Sequence, residues 1–122
     1  MAKVESHRDL IVWQKAMRLA VEVYRLTATF PRSEEYRITA QITRAAASVP
    51  ANIAEGHARG TRRDYANFLA IAKGSLAETE TFVLLALELQ FTTSDQAGAT
   101  LDLIQEISKM LTALRARLVR AL

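Results

Sequence analysis

The stretch Gln41–Gly60, Q-I-T-R-A-A-A-S-V-P-A-N-I-A-E-G-H-A-R-G, limits the possible folds most. Advanced at about 100° per residue, Gln41, Arg44, Ser48, Asn52, Glu55 and Arg59 fall on one narrow helical line. Ile38, Ile42, Ala45, Val49 and Ile53 lie on one side of that line, and Ala40, Ala47, Ala51, Ala54 and Ala58 on the other. A polar line facing water is bordered by further polar residues. This one is bordered by apolar and small ones, so it is expected to face protein. One reading is a structural hydrogen-bond network of Gln41, Arg44, Ser48, Asn52, Glu55 and Glu78 that fixes helix register. Arg44 would then be neutralised by Glu55, Glu78 or Glu80, because buried charge must be paired. The other reading is the lining of a groove or central pore.

The rest of the chain is as strongly helical. Only four Gly and two Pro occur in 122 residues, and good helix formers dominate. That length fits one domain over residues 1–122 with a real core. A first helix is expected from near Ser6, where Ser6-x-x-Asp9 resembles a capping box. It carries two apolar stripes: Leu10, Trp13, Met17, Ala20 and Tyr24, and Val12, Leu19, Val23, Leu26 and Phe30. Two stripes exceed what a single small bundle buries, so a second partner surface is expected.

Phe30-Pro31 breaks that helix, and Ser33 is placed to cap the second. Pro50 interrupts the second helix and is expected to kink it on a solvent side shared with Thr39, Thr43 and His57. Gly56 and Gly60 mark its end. Thr61-x-x-Asp64 opens a third helix that runs to about Leu89. Gly74-Ser75 in its middle costs about 1 kcal/mol of propensity, offset by close approach of a neighbouring helix. A fourth helix starts at Thr93 or Ser94, with Leu101, Ile104, Ile107, Leu111, Leu114 and Leu118 as its stripe. The expected fold is all-α: an antiparallel up-down-up-down four-helix bundle with a kinked second helix.

Chemistry is sparse. No Cys is present, which excludes disulfides, thiolate nucleophiles, zinc fingers and iron–sulfur ligation. His7 and His57 are the only histidines, and neither follows a carboxylate by three residues as a di-iron bundle requires. Phosphate-binding glycine loops are missing. No Arg precedes His57 by the four to six positions used by helical ribonucleases of the HEPN type. Catalytic, cofactor-binding and metal-binding residues are therefore expected to be none. The leading segment Met1–Arg8 lacks the apolar core of a signal peptide, and the run Phe82–Leu87 is too short to span a bilayer. A cytoplasmic location with no membrane partner is expected.

Net charge is +3, a mild basic excess. Basic clusters stand at Arg59/Arg62/Arg63 and at Arg115/Arg117/Arg120. Lys15, Arg18, Arg25, Arg59, Arg62 and Arg63 are the candidate nucleic-acid contacts. Repeated around a ring they would form a positive surface suited to phosphate backbones without base readout. The bland reading is a solvated surface.

The signature Gln41-x-x-Arg44-Ala45-x-x-Ser48-Val49-Pro50-Ala51-Asn52-Ile53-Ala54-Glu55-Gly56 resembles that of a bacterial four-helix-bundle family. The family is named for open reading frames in 23S ribosomal RNA intervening sequences. The resemblance extends through Asp9-Leu10-x-Val12-Trp13-Gln14-Lys15-Ala16, Phe30-Pro31-x-x-Glu34-x-Tyr36 and Ala72-x-Gly74-Ser75-x-x-Glu78. It implies a homopentamer. It also implies kinship with the accessory protein of diversity-generating retroelements, a pentameric bundle that binds reverse transcriptase and nucleic acid. The family name records a genomic location, and most members have no established activity. The expected function is thus a non-enzymatic oligomeric bundle that binds or scaffolds RNA, DNA or a nucleic-acid-handling partner such as a reverse transcriptase. The alternative is a structural or protein-interaction module with no nucleic-acid role.

Overall fold

Thr61 and Thr93 start the two longest helices. Thr61 Oγ1 accepts the Asp64 amide at 3.1 Å, and Thr93 Oγ1 accepts the Gln96 amide at 3.3 Å. Each bond satisfies an amide that the helix itself leaves unpaired. In the computed structural model, which describes residues 3–122, these helices are α3 (Arg62–Glu88) and α4 (Ser94–Arg120). They follow α1 (Ile11–Thr27) and α2 (Ile38–Ala58). Met1 and Ala2, part of the leading segment read for a signal, lie outside the described residues.

Two expected caps serve 3₁₀ turns instead of α-helices. Ser6 and Asp9 do form a capping box, but it closes a turn over His7–Asp9. α1 begins after it, with Leu10 as an N-cap that offers no side-chain bond. Ser33 sits inside a second 3₁₀ turn, Arg32–Glu34, and α2 begins only after Arg37. Pro31 starts that turn in extended backbone, and buried Phe30 pins the chain just before it. Several residues are then spent reversing direction before α2 can start.

Each helix packs on two others. α1 and α3 both touch α2 and α4, while α2 and α4 stand diagonally apart. Contacts at the ends fix the directions. Arg115 Nε, near the end of α4, donates to the carbonyl of Ala66 at the start of α3 at 3.1 Å. Thr29, just past α1, donates its hydroxyl to the Phe91 carbonyl just before α4 at 3.3 Å. Thr39 of α2 shares a surface depression with Thr27 and Ala28 at the end of α1. Consecutive helices therefore run in opposite directions.

All four helices feed one core. Leu19 and Val23, Ile42, Val49 and Ile53, Leu69 and Val83, and Ile104, Ile107 and Leu111 are fully buried within it. Each such side chain contributes about 1.5–3 kcal/mol by leaving water. Thr79, also fully buried, satisfies its hydroxyl on the Ser75 carbonyl at 2.8 Å.

The core takes the second stripe of α1 and leaves Met17 and Tyr24 of the first exposed, together with Val21. It takes the isoleucine flank of α2, which puts the polar line outside. Pro50 is consequently not on a solvent side. It is buried within α2, and the helix continues past it to Ala58. Gly56 does not end α2 either. It lies inside the helix, where a Cβ would come 2.6 Å from the Cβ of Phe68. Gly60, at φ +83°, makes the left-handed turn out of the helix. Gly74 has no neighbour within 4 Å of an ideal Cβ, so it permits no close helix approach within the chain. No helix among the described residues is long and apolar enough to cross a membrane.

Candidate functional site

The alternation of helix direction sorts charge to the two ends of the bundle. α2 and α4 finish where α1 and α3 begin. That end gathers Arg8, Arg59, Arg62, Arg63, Arg115, Arg117 and Arg120 from three separate segments of the chain. Its arginines outnumber its acids, Glu5, Asp9, Glu55 and Asp64. The far end sets Glu34, Glu35, Glu88 and Asp95 against Arg25, Arg32 and Arg37. The cluster Arg115/Arg117/Arg120 was visible in the sequence, but only the packing of α4 against α3 brings it beside Arg62 and Arg63.

The six candidate contacts do not form one patch. Lys15 Nζ is held by Glu106 Oε1 at 2.6 Å. Arg18 Nε faces Glu22 Oε1 at 3.7 Å. Arg25 stands near the end of α1 and lines a depression with Glu22, Thr29 and Gln96 at the far end. Arg59 Nη2 bonds Glu55 Oε2 at 2.7 Å, and its guanidinium lies 5.0 Å from the centroid of the Phe68 ring. The Glu55 carboxylate raises the Arg59 pKa above its ordinary value, through the hydrogen bond first and its charge second. Arg62 and Arg63 open α3, exposed and in no ion pair among the described residues. Arg59, Arg62 and Arg63 therefore belong to the basic end, whereas Lys15, Arg18 and Arg25 run along α1 away from it.

The polar line of α2 is no internal network within a single chain. Gln41, Arg44 and Glu55 are exposed. Ser48 donates to the Ala45 carbonyl and Asn52 to the Ser48 carbonyl, each at 2.7 Å, so both bond only their own helix. Arg44 and Glu78 line a shallow notch of about 230 Å³ with Gln41 and Ser48, and neither is in an ion pair among the described residues.

The surroundings of this line are more apolar than its exposure warrants. α2 turns Ala47, Ala51 and Ala58 outward. On α1, Met17, Val21 and Tyr24 are 42%, 46% and 58% exposed. On α3, Ile71, Leu84, Leu85 and Leu89 are exposed as well. α4, diagonal to α2, exposes polar and charged residues with alanines and no large apolar side chain before Val119. Along the middle of the bundle the exposed large apolar side chains thus lie on α1 and α3 and not on α4. The sequence signalled this surface through the double stripe, and the structure identifies Val21 and the α3 residues as its further members.

A second depression, of about 350 Å³, opens at the basic end between α1 and α4 and is lined by Leu10, Ile11, Val12, Met110, Ala113, Leu114 and Arg117. The hydroxyl of Tyr65, at the same end, is buried without a hydrogen-bond partner among the described residues, and burial raises its pKa. The described residues contain no group of three or more His, Asp or Glu side chains able to hold a metal.

A crystal structure of a protein of unknown function from the S23 ribosomal protein family of Bacteroides thetaiotaomicron resembles the chain at a TM-score of 0.77 and 28% identity, covering 86% of this chain and 98% of that one. Among curated proteins, none matches significantly. The family model described as 23S rRNA-intervening sequence protein matches residues 8–113, and the chain belongs to that family.

Proposed function

We propose that this chain is a non-enzymatic, oligomeric scaffold that binds the phosphate backbone of nucleic acid at its basic end. The observation that carries this reading is the convergence of Arg59, Arg62, Arg63, Arg117 and Arg120 at one end of the bundle. Guanidinium groups of this kind neutralise phosphates and release counterions, giving affinity without base readout.

Assembly belongs to the same proposal. The apolar surface of α1, α2 and α3 suits packing between copies, and large side chains such as Met17 and Tyr24 complement an alanine-lined helix. Arg44 and Glu78, unpaired within one chain, supply opposite charges for the contact. A ring, pentameric by the family resemblance, would repeat the basic end around its axis and multiply weak phosphate contacts. The apolar surface also favours a second reading, a protein-interaction module that seats a different protein and binds no nucleic acid.

Fluorescence anisotropy with mixed-sequence RNA at 50 and 200 mM salt separates the two. Contact with about four phosphates weakens binding about a hundredfold over that range. Arg62→Glu combined with Arg63→Glu should abolish binding while the helical circular dichroism is retained. Absence of binding at low salt, or affinity indifferent to both salt and the substitutions, leaves the protein-interaction reading.

A further inference from the structure

We infer that the apolar groove between the start of α1 and the last turns of α4 holds an unpaired nucleobase, so that the ligand of the basic end is a single strand rather than a duplex. The inference rests on the nucleic-acid reading above and narrows it to a substrate class.

The groove measures about 350 Å³. That is the low end of the range for small-ligand sites and suits one flat ring system. Its walls are Leu10, Ile11, Val12, Met110 and Leu114, and its single charge is Arg117. Arg8 lies two residues before Leu10, and Arg120 lies one turn beyond Arg117. The nearby acid, Asp9, stays ionised but is turned to the backbone of the amino-terminal turn, accepting the amides of Glu5 and Ser6 at 2.9 and 3.3 Å. An apolar slot with the Arg117 guanidinium on its wall, at the basic end of the bundle, complements a flat apolar face attached to a phosphate, which is a nucleotide unit. A duplex hides its base faces in the stack, whereas an unpaired strand offers them.

Charge chooses this occupant over an uncharged one. An uncharged apolar segment gains nothing from Arg117.

The test is anisotropy with a labelled 20-nucleotide oligouridylate and with an RNA duplex of the same length, at matched salt. Two variants alter the groove without changing charge: Ile11→Gln removes an apolar wall, and Ala113→Leu fills the space. Both positions are exposed, so the fold is kept. The wild-type chain should prefer the strand by about fivefold, the factor expected from burying roughly 40 Å² of apolar base face. Each groove variant should lose that preference and keep its duplex affinity within about twofold. Arg62→Glu with Arg63→Glu should weaken strand and duplex together. Equal binding of strand and duplex, or a preference that survives both groove variants, overturns the groove inference and leaves the basic end standing. Binding of neither ligand overturns both. If a leucine–glutamate helical peptide binds and is weakened by Ile11→Gln while the strand is not, the groove belongs to a protein partner and the inference falls.

Discussion

Gly56 of α2 and Phe68 of α3 are packed so closely that a Cβ on the glycine would lie 2.6 Å from the Cβ of the phenylalanine. That Cβ leaves the Phe68 backbone directly and cannot swing away. Gly56→Ala should therefore force α2 and α3 apart and destabilise the fold by about 1–3 kcal/mol. Urea or thermal unfolding reads this directly, and an unchanged midpoint would contradict the packing.

Gly74 predicts the opposite sign. No atom lies within 4 Å of an ideal Cβ there. Gly74→Ala should raise the stability of the isolated chain by about 0.5–1 kcal/mol through helix propensity alone. A loss of stability in the same unfolding experiment would mean that a neighbour crowds this face.

On the proposed packing between copies, Val21→Lys should break the assembly and leave the bundle intact. Val21 is 46% exposed and lies outside the core, so the chain loses little by the change. A charge at the centre of a contact between copies is costly to bury unpaired. Light scattering should show smaller particles, with the helical circular dichroism unaltered. Particles of unchanged mass would exclude this face from the contact.

Arg44→Ala should change the unfolding free energy of a dissociated chain by no more than about 0.5 kcal/mol, because the side chain is exposed and unpaired. In the assembled state the same substitution should weaken association, read as a raised dissociation constant by sedimentation. A large loss of stability in the dissociated chain would restore the internal network expected from the sequence.

Asp9 gives the amino-terminal turn an acid limit. Backbone bonds from the Glu5 and Ser6 amides hold its carboxyl below the ordinary 3.8. A depressed folded pKa means the contribution is present in full above the unfolded value and is lost as pH falls through the lower folded one. Trp13 reports on the turn, since its ring meets His7 edge-on with centroids 5.0 Å apart. Trp13 fluorescence should show a transition below pH 3.8 that Asp9→Asn removes. An identical acid profile in the variant would refute the assignment.

Much of the fold was legible because its determinants are local. Helical spacing marks each core stripe, and Thr61 and Thr93 are caps that need only three residues of context. What could not be read is which of two apolar flanks a helix turns inward. On α1 both stripes carry large side chains, and only packing shows that Leu19 is inside and Met17 outside. On α2 the polar line looked internal because its borders are alanine and isoleucine. The core took the isoleucine border, and that choice reversed the placement of Pro50 and Arg44. Gly56 was read as a terminator because its real partner, Phe68, lies on another helix. For the same reason the basic end was half visible: Arg62 and Arg63 are neighbours in sequence, while Arg117 and Arg120 join them only through the return of α4.

The diagonal placement of α2 and α4 leaves the chain with mostly local helix contacts. Three of the four helix contacts join helices that follow one another, and only α1 with α4 must close across the whole length. Local contacts favour folding in microseconds to milliseconds. The long-range contact carries the largest closure entropy and is the most expensive to form early. The groove between Leu10 and Leu114 exists only once that contact is made. The walls of that groove come from opposite ends of the chain, so any loosening of α4 from α1 opens it.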